Sequence, residues 1–386
     1  DKKGLIKSSR SSYNHRLFNM VELERIHNKI SNSVEDDNYQ IFVDPHKTNI
    51  SVIELFAGAG GTALGLDHAG LKHELLVEIN NDAVATLKQN RPAWNVRQGD
   101  VREFDFKGLK ADVIEGGFPC QAFSYAGKKR GFEDTRGTLF FDFARCIKQV
   151  KPKVVMGENV RGLLRHDNGK TLETIIKCLQ DLGYLVAYTI LRSQYLDVPQ
   201  KRERLILIGV RNDLKLPILF PKEKDYTVSL RAALKDCPDS EGQRYPARKK
   251  QILAQVPPGG YWRDLPIDLQ KEYMKKSYYL GGGKTGMARR LSWDEPSLTL
   301  TCAPAQKQTE RCHPEETRPL NVREYARIQT FPDDWQFEGS TSSQYRQIGN
   351  AFPVNAAYHM GKCLIATLNN NPDYETMVEL EPLPSI

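Results

Sequence analysis

No Cys-x-x-Cys pair occurs anywhere in the 386 residues, and the seven cysteines, at 120, 146, 178, 237, 302, 312 and 363, are odd in number and scattered. This spacing argues against a disulfide framework and against a structural zinc site, so no metal is expected. Also missing is any apolar stretch approaching the roughly 18 to 20 residues of a membrane span. The opening DKKGLIKSSRSSYNHR has no apolar signal-peptide core. The expectation is a soluble protein of the cytoplasm, in a reducing compartment, without a membrane partner. No internal repeat is visible. Acidic residues are scarce in one place: between 244 and 290 there are only Asp264, Asp268 and Glu272, against eleven lysines and arginines, in a chain whose net charge is +7. That segment is either a solvated basic face or a polyanion site. Tyr261, Trp262, Tyr273, Tyr278, Tyr279 and the run GGGKTG interleaved with the charges favour the polyanion site.

What is present is a long alternation. From Ile50 to about Phe220, the segments ISVIELF, HELLVEI, ADVIEGG, KVVMGEN, LVAYTIL and RLILIGV read as strands. TALGLDHAG, NDAVATLKQN, GTLFFDFARCIKQV and KTLETIIKCLQDLG read as helices between them. The pattern predicts an α/β protein with a doubly wound, mostly parallel sheet over residues 50–220. Past Pro221 the alternation stops, and residues 221–340, rich in Pro, Gly, Arg and Lys, suggest a second, smaller domain. QYRQIGNAFPVNAAYHMGKCLIATL returns to helical periodicity, so 341–371 is expected to be a helix docking back on the first domain, with 372–386 as a tail. Residues 1–49 form an extension with a helix expected around HRLFNMVELERIHNKI, read as a packing element in preference to a regulatory or polyanion-touching arm.

ELFAGAGGTALGL follows the first strand and opens a helix, so its glycines allow a tight turn and bring backbone N–H groups to a ligand at the helix start. Gly58-x-Gly60-x-x-Ala63 fits a dinucleotide fingerprint. Glu78 ends the next strand, about 20 residues on, where a carboxylate can hold ribose hydroxyls. Asp100, after the third strand, is placed to accept from an adenine amine. Gly58 to Gly61, Glu78 and Asp100 suit an adenosine without a pyrophosphate, although a nicotinamide enzyme shares such glycines.

Reactive groups in a doubly wound sheet lie beyond the carboxyl ends of the strands. Cys120 lies beyond the fourth strand, between Gly-Gly-Phe-Pro and the basic loop SYAGKKRG, where a structural cysteine would not be expected. It is the candidate nucleophile. A free thiol near pKa 8.5 is only a few per cent thiolate at neutral pH, so the basic loop and its position would help to activate it. Glu158, in GENV beyond the fifth strand, is the candidate general acid. In VPQKRERLILIGVR an alternating pattern is expected to aim Arg202 and Arg204 to one side, toward an anionic or hydrogen-bond-accepting substrate.

Taken together, FAGAGG, GGFPCQAFS, ENV, QKRER, RPLNVREYARIQTFPDDW and QIGNAFPV resemble the bacterial DNA (cytosine-5)-methyltransferases of restriction-modification systems, in order and spacing, over about residues 50–371. The resemblance implies binding of S-adenosyl-L-methionine and a target cytosine flipped out of the duplex. Cys120 would attack C6, Glu158 would hold the N3 side, and Arg204, with Arg202 and Gln200, would hold the base and its backbone. By the same resemblance Phe56, Gly58, Gly60, Gly61, Glu78, Asp100, Pro119, Leu139 and Asn350 line the cofactor pocket. Residues 221–340 become a target-recognition domain. Gln121, Ser124, Gln200, Lys249, Lys250, Arg289 and Arg290 are the expected DNA contacts. The implied partners are double-stranded DNA carrying a specific sequence, on the bacterial nucleoid, and a restriction endonuclease as genetic partner, with the enzyme a monomer. The pattern departs from the family at Ala351 and Phe352, where Ser and Val are common. A tRNA-methylating relative carries the same Cys and Glu motifs, but the long basic segment before RPLNVREY argues for DNA. A DNA-binding regulator on an inactive fold is the third alternative, and intact Cys120, Glu158 and Arg204 speak against it.

Overall fold

The computed structural model describes residues 39–119 and 139–385, together with the backbone of two short strands, β1 (Ser8–Arg10) and β2 (Arg16–Phe18), paired antiparallel. The β2 strand takes residues assigned above to the start of a helix. Cys120, Gln121, Ser124 and the rest of that loop lie outside the described residues.

The strands and helices that follow are β3 (Ser51–Leu55), α1 (Gly61–Ala69), β4 (Lys72–Glu78), α2 (Asn81–Asn90), β5 (Val96–Gln98) and β6 (Val113–Gly116). Then come α3 (Leu139–Val150), β7 (Val154–Val160), α4 (Lys170–Asp181), β8 (Tyr184–Arg192), β9 (Gln200–Lys201), β10 (Glu203–Arg211) and β11 (Leu219–Pro221). Seven of these strands form one sheet in the order β5-β4-β3-β6-β7-β10-β8. Neighbours are parallel except β10, which runs antiparallel to both β7 and β8. The chain winds outward from β3 through β4 to β5, then resumes on its other side with β6. The switch point, where a ligand crevice opens beyond the strand ends, is therefore between β3 and β6.

Both faces of the sheet are buried, which is why its strands read as apolar runs. On one face Ile53, Ile114, Val155 and Leu205 pack against Phe140, Phe143 and Ile175 of α3 and α4. On the other, Val52, Val113, Met156 and Ile206 meet Leu66 of α1 and Met360 and Leu364 of a C-terminal helix.

The remaining elements are α5 (Leu230–Leu234), α6 (Ala247–Leu253), α7 (Ile267–Met274), β12 (Ser297–Leu298), α8 (Val322–Ile328), α9 (Thr341–Asn350), α10 (Val354–Leu368) and β13 (Met377–Glu379). Tyr245, Leu253, Trp262, Tyr273, Met274, Met287 and Cys312 bury one another in a separate lobe. By contrast Leu230, Tyr325, Trp335 and Tyr345 share a core with Leu64 of α1, so both ends of the 221–340 segment pack with the sheet domain.

The segment expected as one returning helix is two, α9 and α10. Pro353 has no N–H to donate, and the residue before a proline avoids the helical region, so the chain breaks at 351–353 and restarts with Pro353 as N-cap. The residues expected as a tail are built in: β13 pairs with β11, and Leu383 N donates to Val186 O. Residues 39–49 pack on the same domain, with Phe42 stacked on Tyr358 and Lys362 paired with Asp44.

Candidate functional site

The glycine-rich turn after β3 begins with Phe56 at φ 61 and Gly58 at φ 54. A left-handed phenylalanine is strained, and such residues gather at ligand sites. Gly60, also left-handed, caps α1 without a side-chain hydrogen bond, and of the first-turn N–H groups that of Ala63 is taken by the Glu54 carboxylate. Glu78, from the end of β4, accepts from Gly58 N at 2.8 Å through Oε2 and from Ile79 N and Asn80 N through Oε1. It therefore ties the turn to the neighbouring strand, and Oε2, with a single donor, keeps acceptor capacity for a ligand hydroxyl. Asp100 carries the Arg102 guanidinium, whose hydrogen bond holds its carboxyl below the usual range. That pair is near the surface and exchanges for a ligand at little cost. Pro119 is exposed, Leu139 opens α3 half-buried, and Asn350 ends α9 with its Oδ1 accepting from Cys302 Sγ at 3.0 Å.

Beyond β7, Glu158 Oε1 accepts from Arg204 Nε at 2.7 Å, with both side chains largely buried. The sheet makes this pair: Arg204 is opposite Val160 and Ile206 opposite Glu158, so the two side chains are diagonal neighbours on one face. A Cβ on Gly117 would lie 3.4 Å from Glu158 Oε2, which sets the carboxylate beside the strand end that leads to Cys120. Asn159 Nδ2 donates to Phe118 O at 2.7 Å and pins the same loop, a contact that the ENV motif carries but that was not anticipated.

Two further carboxyls lie on this sheet face. Glu54 and Glu115 are register partners on β3 and β6, both almost wholly buried, with His73 on Glu54 at 3.3 Å. Burial, then Glu54 and Glu158, push the Glu115 carboxyl well up, which favours its neutral form beneath the site.

Four expected ligand contacts are corrected. Arg202 does not point with Arg204: β9 and β10 are interrupted at this residue, and its side chain is 1% exposed. It donates to the carbonyls of Leu300 and Gly349, bracing the C-terminal segment against the sheet. Gln200 is fully buried, donating to Gln329 Oε1 and accepting from Leu300 N. Arg290 is buried and donates to the carbonyls of His313, Glu315 and Leu253. Lys249 pairs with the buried Glu310 at 2.7 Å and donates to Ala305 O. All four are engaged by other parts of the protein, although the Nε atoms of Arg202 and Arg290 are buried without a hydrogen-bond partner among the described residues. Arg289 is half-buried over the Tyr261 ring, and Lys250 is exposed. A cleft of about 370 Å³ beside Arg204 is lined by Arg161, Arg192, Lys201 and Thr299, giving it a basic wall.

The sequence model of the C-5 cytosine-specific DNA methylases matches residues 50–366. The chain is 63% identical over 342 residues to Type II methyltransferase M.Eco47II of Escherichia coli, covering 84% of this chain and 82% of that protein. It is 49% identical over 374 residues to Type II methyltransferase M.Sau96I of Staphylococcus aureus, covering 94% and 83%. A solved structure described as a DNA modification methyltransferase encoded within an E. coli prophage superposes with TM-score 0.61 at 25% identity, over 83% of this chain and all of that one. The chain belongs to the C-5 cytosine-specific DNA methylase family and is a DNA (cytosine-5)-methyltransferase.

Proposed function

We propose that the protein methylates C5 of a cytosine flipped out of a specific duplex sequence, through a covalent bond between Cys120 and C6, as the modification enzyme of a restriction-modification system. The Type II relatives support the last part. A restriction endonuclease is then its genetic partner, and the enzyme acts as a monomer on DNA in the cytoplasm. S-adenosyl-L-methionine fits the crevice at the switch point, where the start of α1, the open side of Gly58 and the acceptors of Glu78 and Asp100 would hold it with Phe56, Gly60, Gly61, Pro119, Leu139 and Asn350. When bound, it supplies an electrophilic methyl group.

Cytosine C5 is a poor nucleophile because its electrons are held in an electron-poor aromatic ring. Addition of the Cys120 thiolate to C6 makes C5 enamine-like, with Glu158 sharing a proton at N3 as the ring takes up the electron pair. Arg204 orients Glu158 and faces the base. After methylation, loss of the C5 proton and expulsion of Cys120 restore aromaticity. Gln121 and Ser124 are assigned to the loop that follows the nucleophile over DNA, and Lys250 and Arg289 to the surface of the recognition lobe. The observation that carries this reading is the 2.7 Å Glu158–Arg204 pair, with the other carboxylate oxygen on the Gly117 side of the site.

A duplex whose target cytosine bears fluorine at C5 tests it. Such a base accepts the methyl group but has no C5 proton to lose, so wild-type enzyme should remain joined to the DNA on a denaturing gel. Cys120→Ala should bind the duplex without forming the adduct, because extruding a base does not need the thiol. Glu158→Gln should form it far more slowly. An adduct that persists in Cys120→Ala assigns the chemistry to another residue.

A further inference from the structure

In the second lobe, the short 3-10 helix Lys275–Tyr279 and the loop that continues it to residue 284 present two adjacent apolar side chains to solvent, Tyr279 at 78% and Leu280 at 65% exposure. A single exposed leucine is ordinary. Here the pair is held out by a loop braced from behind. The Tyr278 ring packs edge-on against Trp262 at 6.0 Å, and Tyr279 packs edge-on against Tyr278 at 5.2 Å. Lys284 Nζ reaches back across the loop to the carbonyls of Ser277, at 2.6 Å, and Leu280, and Trp262 Nε1 donates to Gly283 O. At Gly281 and Gly282 a Cβ would meet nothing within 4 Å, so the crest is open. The loop has thus met part of its ordering cost before any partner arrives.

The sequence that carries the loop has one sign of charge. From Tyr273 to Trp293 there is no Asp or Glu, while Lys275 and Lys276 are exposed in the turn directly before the two apolar residues. The loop is also joined to the site. Glu310 N donates to Gly286 O at 2.9 Å, and the segment leading up to Glu310 begins at Thr299, in the basic cleft beside Arg204. Rigid apolar side chains between flexible cations match a partner that has π-faces inside a phosphate backbone.

We propose that Tyr279 and Leu280 form an apolar wedge that presses against the bases of the duplex, while Lys275 and Lys276 take the flanking phosphates. This rests on the DNA-cytosine reading above and adds to it the part of the recognition lobe that reaches bases and the chemistry it uses. Such wedges partly unstack a base step and do not depend on counterion release, whereas phosphate contacts do.

The experiment uses the full chain and a duplex carrying its own target, read from bisulfite sequencing of wild-type product, with 2-aminopurine at successive positions. Wild type should raise fluorescence at one step. Tyr279→Ser with Leu280→Ser, at exposed positions that leave folding intact by circular dichroism, should abolish that rise and weaken binding roughly tenfold or more, with the salt slope unchanged. Lys275→Ala with Lys276→Ala should instead flatten the slope of log K against log salt by about 0.9 per lost contact. A double serine variant that binds and fluoresces like wild type, or one that changes only self-association in sedimentation, overturns the wedge. Wild type that leaves duplex cytosines unmethylated overturns the underlying reading and the wedge with it.

Discussion

Arg202 and Arg204 are two residues apart on nominally one strand, yet one supports the domain junction and the other touches the candidate acid. The difference lies in which partners the fold supplies: carbonyls from two segments for Arg202, a carboxylate across the sheet for Arg204. Asp197, just upstream, is a similar bracing residue. Its buried carboxylate receives His359 at 2.7 Å, together with Lys224 and Tyr226, and so ties the turn before QKRER to α10. Burial acts to raise this carboxyl, but the bonds from His359, Lys224 and Tyr226 outweigh it and leave it below the ordinary value. A depressed folded pKa contributes stability that is present above the unfolded value of about 3.9 and is lost as pH falls through the folded one. Asp197→Asn keeps a residue that tolerates the local φ of 56 but removes the charge. It should cost on the order of 3 kcal/mol near neutral pH. Its melting temperature should then fall less steeply than that of wild type below about pH 4. Parallel acid-side curves for the two proteins would remove Asp197 from the balance.

At the scale of elements, the contact between α1 and α10 sets where the glycine-rich turn points. A methyl group on Gly65 would run into the Val354 carbonyl and Ala357 Cβ, and one on Gly361 into Ala69 Cβ. The helices approach through absent side chains, so Gly65→Ala should destabilise by about 1–3 kcal/mol in urea unfolding, with no group of the candidate site removed. Unchanged stability would mean that α10 can slide. The same helix shows why part of the fold was hidden: the apolar period runs through 344–368 without signalling a break, and only Pro353 marks it. Strands β3, β4, β6, β7, β8 and β10 were legible because each carries a short cluster of buried apolar residues. The hairpin β1–β2 was not, since Arg16–Phe18 has no such pattern.

For the whole molecule, the second lobe has a core of its own between Tyr245 and Cys312, so if it is the recognition domain proposed above, specificity should travel with it. Moving residues 221–317 into a relative should transfer the methylated sequence, as read by bisulfite sequencing. An active hybrid that keeps its host's old site contradicts the assignment. Salt dependence separates surface from interior within the lobe. Lys250→Ala should flatten the slope of log K against log salt by up to about 0.9. Lys249→Ala should leave that slope alone and destabilise the lobe, because its charge is consumed by Glu310.

The order of motifs, the parallel sheet and the identities of the nucleophile and acid candidates follow from sequence alone, because local periodicity and residue chemistry survive in one dimension. Which charged groups are available to a ligand does not. Gln200, Arg202, Lys249 and Arg290 have the residue types of a DNA surface, but each is held by a protein partner distant in the sequence: Leu300 for Gln200, the Gly349 carbonyl for Arg202, Glu310 for Lys249 and the Leu253 carbonyl for Arg290. A long cation reads the same in sequence whether its partner is a phosphate or a distant carbonyl. Only the packing of the chain supplies that partner, and the cost of leaving a buried donor unpaired then fixes the side chain inside.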